Sequence, residues 1–324
     1  MKTKIVYVLV SDSSDLLFEQ LVLSIISLRN HNEAHIIVVV DTNTFEGLLE
    51  ERRTIYNLAN EVISVITPEG YSNLQKSRFI KTNLREIISG DFLFIDCDTI
   101  VCANLSEIDR MSNHISAVAD LNGELHLHDS SIINNCTKAG FSDADGEPYF
   151  NSGIMFVRDS AESHILYQEW HKQWLVSLQN GIFLDQPALC KANTNSKHII
   201  HEIDGGWNCQ VNFGGEKFLK HAKILHYAGG SSKKSIQQLL THLRNNGEKP
   251  DAIINDLMSH PKTSFFTLMT IGDQKYCEYC NSEIMYFYFH KPSVFKLALY
   301  FAKKLMPLVT IGCHVKHLFF HRMQ

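Results

Sequence analysis

Asp96 and Asp98 follow the apolar run Phe92-Leu-Phe-Ile95 and are the residues of this chain best suited to gripping a cation. If that run is a strand, side chains at i and i+2 leave it on the same side, so both carboxylates can address one ion. A hard divalent ion held this way keeps positions open for phosphate oxygens. Aspartates also end strands simply as turn residues, so the pair alone leaves both readings open. A second cue is Ile224-Leu-His226-Tyr-Ala-Gly-Gly230-Ser-Ser-Lys233-Lys234, an apolar run ending in a histidine, a glycine turn and two lysines. His226 could supply a third ligand, Gly229 and Gly230 let backbone approach a phosphate, and a lysine could neutralise a departing anion. The plainer alternative is a buried histidine followed by a solvated turn.

Three further segments carry polar groups at places where a ligand could meet them. Ser11-Asp12 ends the first apolar run, where a hydroxyl or carboxylate can accept hydrogen bonds from a nucleobase or ribose, or else cap the helix that follows. Tyr149-Phe-Asn151-Ser-Gly153 stands ahead of the run Ile154–Val157 and offers a side-chain amide and an unobstructed backbone. Phe183-Leu-Asp185-Gln186-Pro187 opens a helix; Asp185 could cap it, and Asp185 with Gln186 would suit sugar hydroxyls.

The elements that must position these residues are read from periodicity. Val6–Val10, Ile36–Val40, Val62–Ile66, Phe92–Ile95, Ala117–Leu121 and Ile154–Val157 are predicted strands. Leu16–Leu28, Phe45–Leu58, Ser77–Ile88 and Leu166–Leu178 are predicted helices, with Trp170 and Trp174 on the core face of the last. This alternation specifies an α/β fold around a mostly parallel sheet. Asp96 and Asp98 then stand at the carboxyl end of a strand, where ligands bind in such sheets. Asn122 to Pro148 reads as one long polar loop. From about Ser235 helical patterns take over, which predicts a catalytic domain over 1–234 and a helical, aromatic and basic extension over 235–324.

The chain has 324 residues, 44% of them apolar and 20% charged, with a formal net charge of −5. These values describe an ordinary globular protein and speak against bulk nucleic-acid binding. Lys2-Thr-Lys4 and Ile5–Val10 resemble a signal peptide only superficially, because Ser11-Asp-Ser-Ser-Asp15 follows without a cleavage site. No run of 18 apolar residues is present, so no spanning helix is expected. The eight scattered cysteines read as free thiols of a reducing compartment, which implies a cytoplasmic setting. Cys277-Glu-Tyr-Cys280 lacks a second pair and is not expected to bind zinc. In residues 292–324, Phe295 to Arg322 interleaves basic and aromatic residues and could rest on an anionic membrane surface or pack back on the catalytic domain.

Taken in order, these motifs resemble the retaining glycosyltransferases of family 8, which have a GT-A fold. The resemblance runs from Lys4 to Lys234. It rests on Ser11-Asp12, Ser77-Arg78-Phe79, Phe94-Ile-Asp96-Cys-Asp98-Thr-Ile-Val101, Phe150-Asn-Ser-Gly-Ile-Met155, Leu184-Asp-Gln186, Trp207-Asn208 and His226-Tyr-Ala-Gly229 with its lysines. It implies manganese, or magnesium in its place, on Asp96, Asp98 and His226, and a UDP-sugar donor whose uracil meets Asp12. It also implies that Arg78 approaches the donor, that Asn151, Asp185 and Gln186 stand near the transferred sugar with Gln186 facing the anomeric carbon, and that Asp120 can hold sugar hydroxyls. The acceptor would be a glycan or lipid-linked hydroxyl, in bacterial lipopolysaccharide or capsule synthesis. One departure is visible: the family's His-x-x-Gly-x-x-Lys-Pro ending lacks its proline here, and either Lys233 or Lys234 can take the lysine's place.

Two other enzyme classes and a scaffold compete. Haloacid-dehalogenase-like phosphatases also place Asp-x-Asp after an apolar strand, yet their threonine stands two places later, whereas Thr99 follows Asp98 directly. A sugar-phosphate nucleotidyltransferase would need a basic, glycine-rich loop after the first strand, and Val10 to Glu19 has none. A non-catalytic nucleotide-sugar-binding scaffold would leave unexplained why so many polar residues gather at strand ends.

Overall fold

Apolar runs with β-branched residues form the centre of the protein, because strands buried on both faces need such residues at every position. In the computed structural model, residues 1–49, 52–211, 213–227 and 250–259 are described, and Met1–Leu257 forms one compact unit. The elements are β1 (Lys4–Leu9), α1 (Leu17–His31), β2 (Ile36–Asp41), α2 (Thr42–Leu48), α3 (Ile55–Leu58), β3 (Glu61–Val65), α4 (Asn73–Thr82) and α5 (Leu84–Ile87). They continue with β4 (Phe92–Ile95), β5 (Thr99–Val101), β6 (Ile115–Ala119), α6 (Ser130–Lys138), β7 (Phe150–Val157), α7 (Ala161–Gln179) and α8 (Gln186–Asn195). Last come β8 (Ile200–Glu202), β9 (Cys209–Gln210), β10 (Ile224–His226) and α9 (Pro250–Ser259).

The main sheet has seven strands in the order β3-β2-β1-β4-β7-β6-β8. All its strands run in one direction except β7, which is antiparallel to both neighbours. Alternation along each strand separates two apolar layers. Val6, Val8, Ile37, Val39, Phe92 and Phe94 face one layer together with Trp170 and Trp174 of α7. Ile5, Tyr7, Leu9, Val38 and Leu93 face the other, with Leu21, Ile25 and Leu28 of α1. The chain reverses its order of strand addition between β1 and β4, and the crevice beyond their carboxyl ends is where such sheets bind ligands.

Two features bring distant residues to that crevice. Because β7 runs backwards, its amino end, carrying Asn151 and Gly153, lies at the carboxyl ends of β4 and β6. A small second sheet, β5-β10-β9, places His226 opposite Thr99, and Tyr227 N–H donates to the carbonyl of Asp98 at 2.9 Å.

The fold corrects several expectations. Tyr149 to Gly153 does not precede a strand: from Phe150 it is part of β7, paired with Val118 and Ala119 of β6. The polar loop 122–148 contains α6, capped by Asp129, whose carboxylate accepts from Ser131 and Ile132 N–H. That helix is short and mostly polar, with Ile132, Ile133 and Cys136 as its apolar residues. The expected helix Phe45–Leu58 is two short ones: Leu49, just past the first, stays exposed, and Arg52 turns back to Ser11 and Asp12. Ser77–Ile88 likewise divides at Asn83, whose amide bonds the carbonyl of Phe79. Gly229, Gly230, Lys233, Lys234, the Cys277–Cys280 pair and the stretch Phe295 to Arg322 lie outside the described residues. Among those described, no helix is long and apolar enough to cross a membrane, and Cys97, Cys102, Cys136 and Cys190 are free thiols.

Trp170 is fully buried, as expected, and its indole N–H bonds the carbonyl of Asp185 at 2.9 Å, joining α7 to the start of α8. Trp170→Ala should therefore cost about 3–5 kcal/mol, measured as a drop in urea midpoint at constant slope.

Candidate functional site

Asp96 and Asp98 leave β4 toward the crevice, and β10 delivers His226 between them. One ligand atom from each of the three lies within 4.8 Å of the others, the arrangement needed to share a metal ion. His226 Nε2 is 3.3 Å from Asp98 Oδ1 and 4.0 Å from Asp96 Oδ2. Gly153 makes room for them: a Cβ there would stand 2.4 Å from His226 Cε1 and 2.8 Å from Asp96 Oδ2. Two carboxylates and one imidazole suit a manganese-like or magnesium-like cation better than a soft one, so the residues fit the metal expected from the sequence.

The electrostatics of this metal-free cluster show two like charges held close. Burial raises the pKa of Asp96, partly opposed by Lys81 and reinforced by the charge of Asp98. For Asp98 burial acts in the same upward direction, but the charge and hydrogen bond of His226 outweigh it and hold the pKa down. Burial would lower His226; Asp98 reverses this and raises it.

Lys81, which sequence reasoning passed over, sits fully inside this cluster. Its ammonium lies 3.4 Å from Asp96 Oδ1, 3.3 Å from Asp185 Oδ2 and 3.1 Å from Ser152 Oγ, and it covers the ring of Phe94. Its signal was its place in α4, one turn after Arg78 on the same face. Arg78 Nε meets Asp185 Oδ1 at 3.0 Å, and Ser152 Oγ donates to Asp185 Oδ2 at 2.8 Å. Asp185 stands at the N-cap of α8, yet its side chain caps nothing. Burial would raise the Asp185 pKa, but Lys81 and Arg78 hold it at about 2. Both its oxygens are engaged by protein groups, whereas Gln186 beside it is half-buried and its amide only skims the carbonyl of Phe150 at 3.5 Å.

A cavity of about 260 Å³ extends from the aspartate pair along the ends of β1 and β4, past Cys97, Arg78, Asn73 and Leu74 to Val10 and Leu17. Asp12 is exposed near its far end. Its carboxylate accepts from Asn73 Nδ2 at 2.8 Å and from Ser14, bonds that hold its pKa low, and Arg52 donates to its carbonyl and to Ser11 Oγ. Neither Ser11 nor Asp12 caps α1, whose N-cap is Leu16. Half-buried Asp120 lines a second cavity, of about 200 Å³, and accepts from Asn151 Nδ2 at 2.9 Å. The tight turn after it, with Leu121 at φ 57° and Asn122 at φ 46°, is held by Gln210: its Oε1 accepts from Leu121 N–H, and its own N–H donates to Asn122 Oδ1. The structure thus brings Ser11, Asp12, Arg78, Asp96, Asp98, Asp120, Asn151, Asp185, Gln186 and His226 to one edge of the sheet.

Comparison with known proteins agrees with this arrangement. The family model described as Glycosyl transferase family 8 matches residues 19–234. No curated protein matches the chain. Among solved structures, galactosyltransferase LgtC in complex with donor and acceptor sugar analogs is 15% identical, with a TM-score of 0.50 over 74% of this chain and 95% of that one. The glycosyltransferase GlyE of Streptococcus pneumoniae is 17% identical, with a TM-score of 0.51 over 81% of this chain and 66% of that one. At such identities the likeness establishes the fold, the mixed α/β GT-A architecture expected from the sequence.

Two outcomes follow from the geometry. Gly153→Ala should push His226 and Asp96 apart and lower calorimetric affinity for Mn²⁺ by at least about tenfold, with a fall in melting temperature from the overpacking. The folded pKa of Asp185 lies below the 3.8 of a free aspartate, so its stabilising contribution is present at neutral pH and is lost as pH falls from about 4 through about 2. Urea titrations across that window should show wild type losing roughly 2 kcal/mol more than Asp185→Asn; equal losses would remove Asp185 from the ion-pair array.

Proposed function

The chain belongs to glycosyl transferase family 8 and is a glycosyltransferase, and from that premise we propose that it moves a hexose, glucose or galactose, from a UDP-sugar to a hydroxyl of a glycan or lipid-linked acceptor. Retention of configuration and a place in bacterial lipopolysaccharide or capsule synthesis complete the proposal, on the family resemblance. Membership in the family sets aside the phosphatase, nucleotidyltransferase and scaffold readings. The observation that carries the donor assignment is the meeting of Asp96, Asp98 and His226 beside a cavity of about 260 Å³ that both aspartates line.

In this reading the base end of the donor meets Asp12, which can accept an N–H from uracil, with Asn73 and Arg52 holding that loop in place. Asp96, Asp98 and His226 would hold Mn²⁺ or Mg²⁺, which when bound offsets the negative charge on a departing diphosphate. Lys233 or Lys234, assigned on sequence alone, adds positive charge on the same group. Asp185 holds both Arg78, which lines the cavity, and Lys81 behind Asp96, so Asp185 acts as a positioning residue. That leaves Asp120 and Gln186, both partly accessible, as the side chains that meet the sugar, with Gln186 nearest the anomeric carbon. The acceptor enters from the side of loop 122–148, and residues 292–324 are proposed, on composition, to touch the membrane surface peripherally.

Purified protein should release UDP from UDP-glucose or UDP-galactose only when Mn²⁺ or Mg²⁺ is supplied. Asp98→Ala should lower that rate more than about a hundredfold, with an unchanged melting curve. A wild-type rate in the variant, or turnover in a chelator, would contradict the metal assignment.

A further inference from the structure

Behind His226 runs a buried chain of hydrogen bonds whose polarity is set at both ends. Asn151 Nδ2 donates to Asp120 Oδ1 at 2.9 Å, and Asn151 Oδ1 accepts from the backbone N–H of Gly153 at 2.9 Å. A carboxylate oxygen can only accept here and a backbone N–H can only donate, so the amide of Asn151 has one permitted orientation. Its oxygen then also faces Asn208, which must present its NH₂ group, at 2.8 Å. That turns Asn208 Oδ1 toward His226 Nδ1, 2.9 Å away. An oxygen at that distance demands a proton on Nδ1. In the neutral imidazole Nε2 is then left with its lone pair, aimed at Asp96 and Asp98.

From this we propose that Asn208 is a positioning residue that selects the metal-binding tautomer of His226, and that Asn151 and Asp120 set its orientation. The inference rests on the metal reading above. With Asn208 reversed, its NH₂ would face Nδ1, the ring proton would move to Nε2, and an N–H would point at the cation's place. Reversal is prevented because it would also set two NH₂ groups, or two oxygens, against each other in the fully buried pair Asn151–Asn208. The arrangement matches the general rule that a ligating histidine has its second nitrogen fixed by an acceptor. It also ties Asp120, at the sugar end, to the metal end through two amides.

The test needs no substrate. The chain labelled with ¹⁵N-histidine and saturated with MgCl₂ reports which nitrogen of His226 carries the proton, with His226→Gln identifying its signals. A protonated Nδ1 is expected, with Nε2 bare toward the ion; a protonated Nε2 overturns the proposal whatever any variant does. Calorimetric titration with MnCl₂ then compares wild type, Asn208→Leu and Asn208→Asp. The leucine, which removes the acceptor, should lose about 10–100-fold in affinity. The aspartate keeps an acceptor for Nδ1–H and should retain most of the affinity even though its melting temperature falls, because it cannot donate to Asn151. Equal losses in both variants, or no loss in the leucine, refute the role. Wild-type protein that binds neither Mn²⁺ nor Mg²⁺ defeats the metal reading instead, and the Nδ1 signal of the metal-free protein, which Asn208→Leu should shift by removing its acceptor, is then the separate test of Asn208; an unshifted signal refutes it.

Discussion

Two carboxylates held side by side at the end of β4 repel each other, and most of the site is arranged to make that tolerable. Lys81 lies against Asp96, His226 against Asp98, and Arg78 and Lys81 together neutralise Asp185 beneath them. Each of these cations is buried or nearly so, and burying a charge is costly unless a partner of opposite sign is already in place. The buried pairs of Arg78, Lys81 and Asp185 are therefore interdependent: removing one of these three leaves another charge buried without compensation. A divalent cation would complete the balance, which is why a cluster that is strained alone is well suited to binding one.

Backbone topology enforces this proximity. A wholly parallel sheet would send Asn151 and Gly153 to the far side of the molecule; reversing β7 alone brings its amino end back to the ligand edge. The pairing of β10 with β5 does the same for His226, through a small three-stranded sheet. Gly153 is the point where these two devices meet, and only a residue without a side chain fits between them.

The amide chain from Asp120 to His226 adds direction to the electrostatics. Point charges fix how much potential the site has, but only groups with a defined donor and acceptor end decide where a proton sits. Side-chain amides serve because each has both ends and can be read from either neighbour. In a site that must present a bare ring nitrogen, such wiring is as necessary as the ligand itself.

Much of the architecture could be read from residue order. Continuous apolar runs marked β1, β2 and β4, the period of α7 marked its core tryptophans, and Asp-x-Asp after β4 marked the ligand edge, because burial and side-chain alternation act within a few residues. Residue type and local spacing were also enough to single out Asp96, Asp98, His226 and Asp185. The roles of Lys81 and Gln210, the inward turn of Asp185 and the partners of Asn208, marked only as part of the Trp207-Asn208 motif, were not legible. A lysine on a helix or an asparagine after a tryptophan has no readable partner until strands far apart in the chain bring one within 3 Å or so, the reach of a hydrogen bond. The sequence alone therefore determined which elements form and which residues carry chemistry, since both depend on neighbours along the chain. The tertiary structure alone decided which charges pair, which amides point which way and which nitrogen of His226 is bare, since those depend on neighbours in space.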